Sequence, residues 1–197
     1  MTLDELKADV RYWQRLLRAE GLYAGAIDGI RGPKQRAAEA EWQRRAEAHR
    51  AALGSFDARS EANMATLTPA AQRVARQWLS KAIVEAEKLG VVVRIICGTR
   101  SYAEQEALYA QGRTTKGPRV TKARGGYSWH NFGLAWDFGV FEQDGSYLGE
   151  SPAYRVLGSL AYGVPGAEWG GEWKSFPDLP HIQLRKYGSI AEARGTF

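Results

Sequence analysis

The sequence contains only one cysteine and no long apolar run. A single cysteine excludes an internal disulfide, and Cys97 lies in the apolar stretch VVVRIIC, which favours a buried free thiol over a nucleophile. No run approaches the roughly eighteen apolar residues of a membrane span, so we expect none. The first residues, MTLDELKADV, lack the charged-then-apolar pattern of a signal peptide. We therefore expect synthesis in the cytoplasm without such a signal.

Several common catalytic motifs are also missing. The sequence has no H-E-x-x-H, no G-x-x-x-x-G-K-[ST], no G-x-S-x-G and no C-x-x-C. The zincin, P-loop, serine hydrolase and zinc-ribbon classes therefore have no support.

Positive charge is in excess, with a net charge of +5 at pH 7. This excess suits an anionic partner but does not distinguish nucleic acid, cell-wall polymers and lipid headgroups. Five basic residues follow one another without an intervening acid in a loop-like stretch, namely Arg113, Lys116, Arg119, Lys122 and Arg124. The stretch is equally typical of a solvated loop and of a surface that faces a substrate.

Hydrophobic periodicity divides the chain into a helical part and a mixed part. Apolar residues recur at helical spacing from Leu6 to Leu17, which predicts a helix ending near Gly21, and Gly32-Pro33 opens a second helix. The periodicity lapses over residues 53–67, whose small and polar residues favour a linker. The expected organisation is a small helical module at 1–52, a linker at 53–67 and a second domain at 68–197.

The second domain combines helices with separated strands. The expected helices lie at about 68–90, 101–110 and 152–161, and the expected strands at 91–97, 134–141 and 181–184. Strands separated by helices and hairpin-type turns favour an α+β fold over a doubly wound parallel sheet.

Two of the three histidines have an aspartate nearby. Asp137 lies in an otherwise apolar strand, where a buried carboxylate needs a partner for its charge. Two imidazoles, those of His130 and His181, and one carboxylate are a usual ligand set for catalytic zinc, with the fourth position open to water. Asp178 is the remaining carboxylate and a candidate general base. On spacing alone, a hydrogen-bonded structural histidine is the more common interpretation of either residue.

These residues lie in motifs of a known family. The stretch SWHNFGLAWD, beginning at Ser128, resembles the S-x-H-x-x-G-x-A-x-D signature of D-alanyl-D-alanine carboxypeptidases and L-alanyl-D-glutamate endopeptidases. DLPH, beginning at Asp178, resembles the D/E-x-x-H motif of that family. The segment from Gly98 to Thr114 is also similar, so the likeness covers about 68–184.

The resemblance implies a fold, a metal and roles for particular residues. The implied fold is a small zinc peptidase domain with an antiparallel sheet, of the Hedgehog and D,D-peptidase type. The implied zinc ligands are His130, Asp137 and His181, with Asp178 as the general base. The resemblance also implies substrate contacts for Arg100, as a cation, and for Ser128, as a hydrogen-bond donor, although both side chains are equally suited to capping turns.

Within the family, the segments FPDLPH and WGGEWKSF are most similar to the phage-endolysin branch, which cuts peptidoglycan between L-Ala and D-Glu. We therefore expect a monomeric endolysin that acts on the bacterial cell wall after release, with no nucleic-acid partner. A D-alanyl-D-alanine carboxypeptidase and a non-catalytic wall-binding protein are the alternatives.

The N-terminal stretch from Val10 to Gln43 separately resembles the peptidoglycan-binding domain of the three-helix type. It departs from that pattern at Gln35, where threonine is usual, and at Glu39, where an apolar residue is usual. We therefore expect the second helix to pack less well. A helical hairpin that only supports the enzyme is the alternative interpretation.

Overall fold

The computed structural model describes residues 1–197 and contains eight α-helices and four β-strands. The helices are α1 (Leu3–Ala8), α2 (Val10–Ala19), α3 (Pro33–Leu53), α4 (Ala58–Ala65), α5 (Pro69–Lys88), α6 (Tyr102–Ala110), α7 (Ala153–Ser159) and α8 (Ile190–Thr196). The strands are β1 (Val92–Cys97), β2 (Ala135–Phe141), β3 (Ala167–Trp169) and β4 (His181–Leu184). The predicted α+β class is confirmed. None of the helices combines the length and the apolar character needed to cross a membrane.

The four strands form one sheet in the order β1-β2-β4-β3, with every neighbouring pair antiparallel. Side chains alternate across this sheet. Trp136, Phe138 and Val140 are buried on one face, where the ring of Trp78 from α5 lies 4.8 Å from that of Phe138. Asp137 points to the opposite face, which leaves it free to take part in a cleft.

Residues 53–67 are folded onto the sheet rather than extended as the expected linker. Helix α4 lies against β1, an edge strand whose outer N–H and C=O groups need partners. Ser60 Oγ accepts a hydrogen bond from Ile95 N at 3.0 Å, and Asn63 Nδ2 donates to Ile95 O at 3.1 Å. Met64 and Leu67 are fully buried in the main core. The small polar residues that suggested a linker cover the edge of the sheet.

The N-terminal helices have a hydrophobic core of their own. Its buried members are Leu6, Tyr12, Trp13, Leu16, Leu17, Tyr23, Ala38 and Trp42. The single helix expected up to Gly21 is broken at Asp9, because the Asp9 side chain caps α2 by accepting from Tyr12 N at 3.1 Å. That part of the helix prediction is wrong.

The two residues that depart from the binding-domain pattern form a polar network between α2 and α3. Glu39 Oε1 accepts from Trp13 Nε1 at 3.1 Å and from Gln35 Nε2 at 2.9 Å. Arg31 pairs with the other Glu39 oxygen at 2.6 Å. Gln35 Oε1 is buried without a partner, which is the one sign of poorer packing here.

The N-terminal helices dock against the rest of the protein through specific polar contacts. The phenol of Tyr12 donates to the backbone carbonyl of Asn131 and lies 3.2 Å from that of Arg100. Lys186 Nζ pairs with Glu20 at 2.5 Å. The side chain of Phe197 packs against both hydrophobic cores. Tyr12 therefore connects α2 to the backbone of Arg100 and Asn131.

Replacing Tyr12 with phenylalanine should lower the free energy of unfolding by about 1–3 kcal/mol, because a buried carbonyl loses its donor. Chemical denaturation measures this change. Tyr187→Phe is the matched control, since its phenol lies at the same interface but 3.5 Å from its acceptor, Ala19 O, too far for a strong bond. Equal destabilisation by the two variants would show that the Tyr12 hydroxyl adds nothing.

Candidate metal centre

Three ligand atoms converge on the face of the sheet opposite α5. The β2–β4 register places Asp137 directly beside His181, and a short 3₁₀ helix, Trp129–Phe132, brings in His130. His130 Nε2 lies 3.2 Å from His181 Nδ1 and 3.2 Å from Asp137 Oδ1, and His181 Nδ1 lies 3.3 Å from Asp137 Oδ1. The three atoms form a nearly equilateral triangle.

Gly133 ends the 3₁₀ helix and turns the chain into β2. Its φ is +65°, a value that favours glycine, and a Cβ at this position would lie 3.1 Å from Thr68 Cγ2. The glycine therefore allows the His130 turn to pack closely against the start of α5.

The outer ring nitrogen of each histidine fixes its orientation and tautomer. His130 Nδ1 must donate to the carbonyl of Gly98, 2.7 Å away. His181 Nε2 donates to Gln183 Oε1 at 2.9 Å. Both inward-facing nitrogens, His130 Nε2 and His181 Nδ1, are therefore left as lone pairs, the arrangement that metal-binding histidines use.

The triangle consists of three acceptors and fits a metal cation. A tetrahedral zinc ion with bonds of about 2.0–2.2 Å has ligand atoms about 3.3–3.6 Å apart, close to the spacing observed. Without a cation or an added proton, two lone pairs and a carboxylate oxygen would repel one another. The residues present are therefore suited to zinc.

The pKa shifts at this centre also favour bound positive charge. Burial lowers the pKa of His130 to about 4, so this imidazole is neutral near pH 7. Burial opposes ionisation of Asp137, but His130, His181 and Arg100 together hold its pKa well below the ordinary value. Burial likewise lowers the pKa of His181, yet the hydrogen bond to Asp137 and its charge outweigh this and raise it overall.

Cys97 and Arg100 lie at the edge of the triangle. Cys97 Sγ is within 4.8 Å of the ligand atoms of His130 and Asp137, so geometry alone makes it an alternative ligand to His181. Burial raises the pKa of the Cys97 thiol, and Sγ accepts from Arg100 Nε at 3.1 Å. We favour His181 because its Nδ1 lies 3.2 Å from His130 Nε2 and 3.3 Å from Asp137 Oδ1.

Arg100 contacts the centre itself. Its Nη2 donates to Asp137 Oδ2, the oxygen that does not face the histidines. The observed partner of this guanidinium is thus a carboxylate of the protein, and the substrate contact implied by the sequence stays a prediction.

All six side chains singled out in the sequence line one cleft of about 460 Å³, namely Arg100, Ser128, His130, Asp137, Asp178 and His181. Asp178 is half-buried and its carboxylate has no hydrogen-bond or ion-pair partner. Burial and the negative charge of Asp137 raise its pKa. A free carboxylate with a raised pKa beside a candidate metal centre is suited to accepting a proton.

The basic stretch contributes one residue to this cleft. Lys122 lines it, donating to Ser175 O at 3.0 Å and lying 5.1 Å from the ring of Phe176. Arg113 and Arg124 instead lie over the ring of Tyr109, at 3.9 and 5.1 Å. The stretch is therefore partly a folded loop and partly a cleft wall.

Sequence reasoning assigned no role to two buried amides that support the site. Gln183 orients His181. The sequence does indicate this contact, because residues two apart in a strand have side chains on the same face. Asn131 Nδ2 donates to the carbonyls of Arg100 and Ser101 at 2.9 and 3.2 Å. Its Oδ1 accepts from the backbone of Gly126 at 2.9 Å. These long-range contacts leave no pattern in the sequence.

Part of the chain is similar to known peptidases. The family model described as D-alanyl-D-alanine carboxypeptidase matches residues 121–184. The peptidoglycan L-alanyl-D-glutamate endopeptidase CwlK of Bacillus subtilis (strain 168) is 45% identical over 109 residues. This match covers 50% of the chain and 64% of the relative.

Two solved structures are also similar. The Serratia marcescens L-Ala D-Glu endopeptidase ChiX is 29% identical with a TM-score of 0.48, covering 66% of this chain and 88% of that chain. The L,D-carboxypeptidase DacB of Streptococcus pneumonia is 25% identical with a TM-score of 0.38, covering 62% and 70%.

Proposed function

We propose that the protein is a zinc-dependent peptidase that hydrolyses a stem-peptide bond of bacterial peptidoglycan, the bond between L-alanine and D-glutamate. The observation that carries this proposal is the buried triangle of His130 Nε2, Asp137 Oδ1 and His181 Nδ1, with edges of 3.2–3.3 Å, beside the unpaired carboxylate of Asp178. The 45% sequence identity over 109 residues to an L-alanyl-D-glutamate endopeptidase supports the choice of bond.

His130, Asp137 and His181 would hold the metal. Bound zinc supplies Lewis acidity and lowers the pKa of water. Asp178 accepts the proton of the attacking water and returns it to the amine of the leaving fragment. Arg100 holds Asp137 ionised and in place, while Gln183 and the Gly98 carbonyl keep the two imidazoles in the tautomer that the ligand set requires.

The experiment that tests the proposal is mass spectrometry of purified peptidoglycan digested by the zinc-loaded protein, with a chelator-treated sample as control. We expect chelator-sensitive fragments with a new D-glutamate amino terminus. Zinc-loaded protein that leaves peptidoglycan intact would contradict the assignment.

A D-alanyl-D-alanine carboxypeptidase is the second candidate, since the matching family model carries that description. The same digest separates the two activities, because a carboxypeptidase releases free D-alanine and creates no D-glutamate amino terminus.

We further propose that the N-terminal helices bind the cell wall and that the enzyme lyses cells as a phage-type endolysin. The separate N-terminal core supports an independent binding function. Lysis of intact cells compared with digestion of purified walls tests the endolysin role. Wall pull-down with the full chain and with variants of exposed residues on α3 tests binding.

Replacing Gln183 with leucine should lower zinc affinity by about 10–100-fold, as is typical when a partner of a metal-ligating histidine is lost. Competition with a zinc-binding dye measures this change. Gln183→Glu is the matched variant, because it keeps an oxygen acceptor for His181 Nε2 and should retain more affinity. If the leucine and glutamate variants bound zinc with equal affinity, the hydrogen bond to His181 would have no part in metal binding.

A further inference from the structure

A second cavity adjoins the catalytic cleft. It has a volume of about 560 Å³ and shares four lining residues with the cleft, namely Val120, Phe176, Asp178 and Pro180. Asp178 thus stands in the wall between the metal centre and the second cavity. We therefore treat the two spaces as neighbouring parts of one substrate-binding surface.

Two side chains of opposite charge, Glu150 and Arg155, line the second cavity. Both are exposed, and neither has a hydrogen-bond or ion-pair partner in the protein. In the cleft, by contrast, the guanidinium of Arg100 is paired with Asp137. Beyond Asp178, the second cavity therefore offers the free carboxylate of Glu150 and the free guanidinium of Arg155 to a ligand.

The role of Asp178 determines which part of the substrate reaches this cavity. A general base that takes a proton from water and passes it to the departing amine must lie on the side of the leaving fragment. Because Asp178 also lines the second cavity, the leaving fragment extends towards Glu150 and Arg155. In a stem peptide cut after L-alanine, that fragment is D-glutamate followed by a diamino acid.

We propose that the second cavity is the subsite for this diamino acid, an inference that rests on the proposed function. Glu150 receives the side-chain ammonium, and Arg155 receives a carboxylate attached to the same carbon. Lysine supplies only the ammonium, whereas meso-diaminopimelate supplies both groups. The structure thereby assigns the enzyme a preference for diaminopimelate-type stem peptides.

Three synthetic peptides of the form L-Ala-γ-D-Glu-X-D-Ala test the assignment, with X as meso-diaminopimelate, lysine or norleucine. With the zinc-loaded full chain, kcat/KM should fall about two- to fivefold at each step in that order, the range expected for exposed ion pairs. Glu150→Gln should bring lysine and norleucine peptides to the same kcat/KM. Arg155→Gln should do the same for the diaminopimelate and lysine peptides.

Glu87→Gln is the matched control, since it removes an exposed carboxylate on α5, outside both cavities, and should leave all three rates unchanged. Equal wild-type rates on the three peptides would overturn the subsite while leaving the peptidase function intact. A uniform loss on all three peptides in Arg155→Gln would also overturn it, because Arg155 would then bind a group common to them. Failure to cleave any of the peptides would overturn the proposed function itself.

Discussion

Replacing Asp178 with asparagine should lower kcat by about 10²–10⁴-fold, the usual contribution of a general base. The amide has nearly the shape of the carboxylate but cannot take up a proton. Because the Asp178 carboxylate has no hydrogen-bond partner and is not one of the three ligands, zinc content should stay unchanged. Steady-state kinetics on a stem peptide, with metal analysis of the same sample, measure both quantities.

Asp178→Glu is the control for this variant, because it keeps a base of similar strength on a longer side chain. It should retain more activity than the asparagine variant. The raised pKa of Asp178 adds a pH dependence: the base works when deprotonated, so activity should rise with pH through a pKa above the ordinary aspartate value. An asparagine variant that kept the wild-type kcat would remove Asp178 from the mechanism.

Replacing His181 with alanine should abolish both zinc binding and activity. The change removes one of the three atoms of the triangle and leaves His130 and Asp137 as the remaining ligands. The loss of zinc affinity should exceed the roughly 10–100-fold that follows from disturbing a ligand's hydrogen-bond partner. Isothermal titration with zinc and digestion of purified walls measure the two effects.

His49→Ala is the matched control for the histidine variant. His49 lies on α3, outside the cleft. This variant should bind zinc and cleave walls like the wild-type protein. Clearance of walls at the wild-type rate by His181→Ala would show that the metal is held elsewhere.

The part of the site that lies on strands was predictable from the sequence. The alternation in LAWDFGVF places Asp137 on the face opposite Trp136 and Phe138, and the structure has that arrangement. The strand beginning at His181 also has its predicted bounds. A strand has a fixed period of two residues, so local sequence decides which face each side chain takes.

Features that depend on contacts between distant segments were not predictable in the same way. The sequence favours a linker where α4 lies, because the partners of polar residues such as Ser60 and Asn63 are on a strand more than thirty residues away. The break at Asp9 depends on a choice between continuing a helix and capping a new one, which apolar periodicity does not record. The pairing of Arg100 with Asp137 likewise appears only once the sheet has formed.

If the N-terminal helices bind the cell wall as proposed, their docking through Tyr12 sets the reach of the enzyme. A catalytic unit on a flexible tether would sweep out a volume around its anchor, at an effective concentration that depends on tether length. Here α4 packs on the sheet and Tyr12 binds the backbone of Arg100 and Asn131, so the cleft would stay at a fixed distance from helices that held the wall. Such an enzyme must release the polymer and bind again to reach the next bond, and tighter anchoring would therefore slow its turnover.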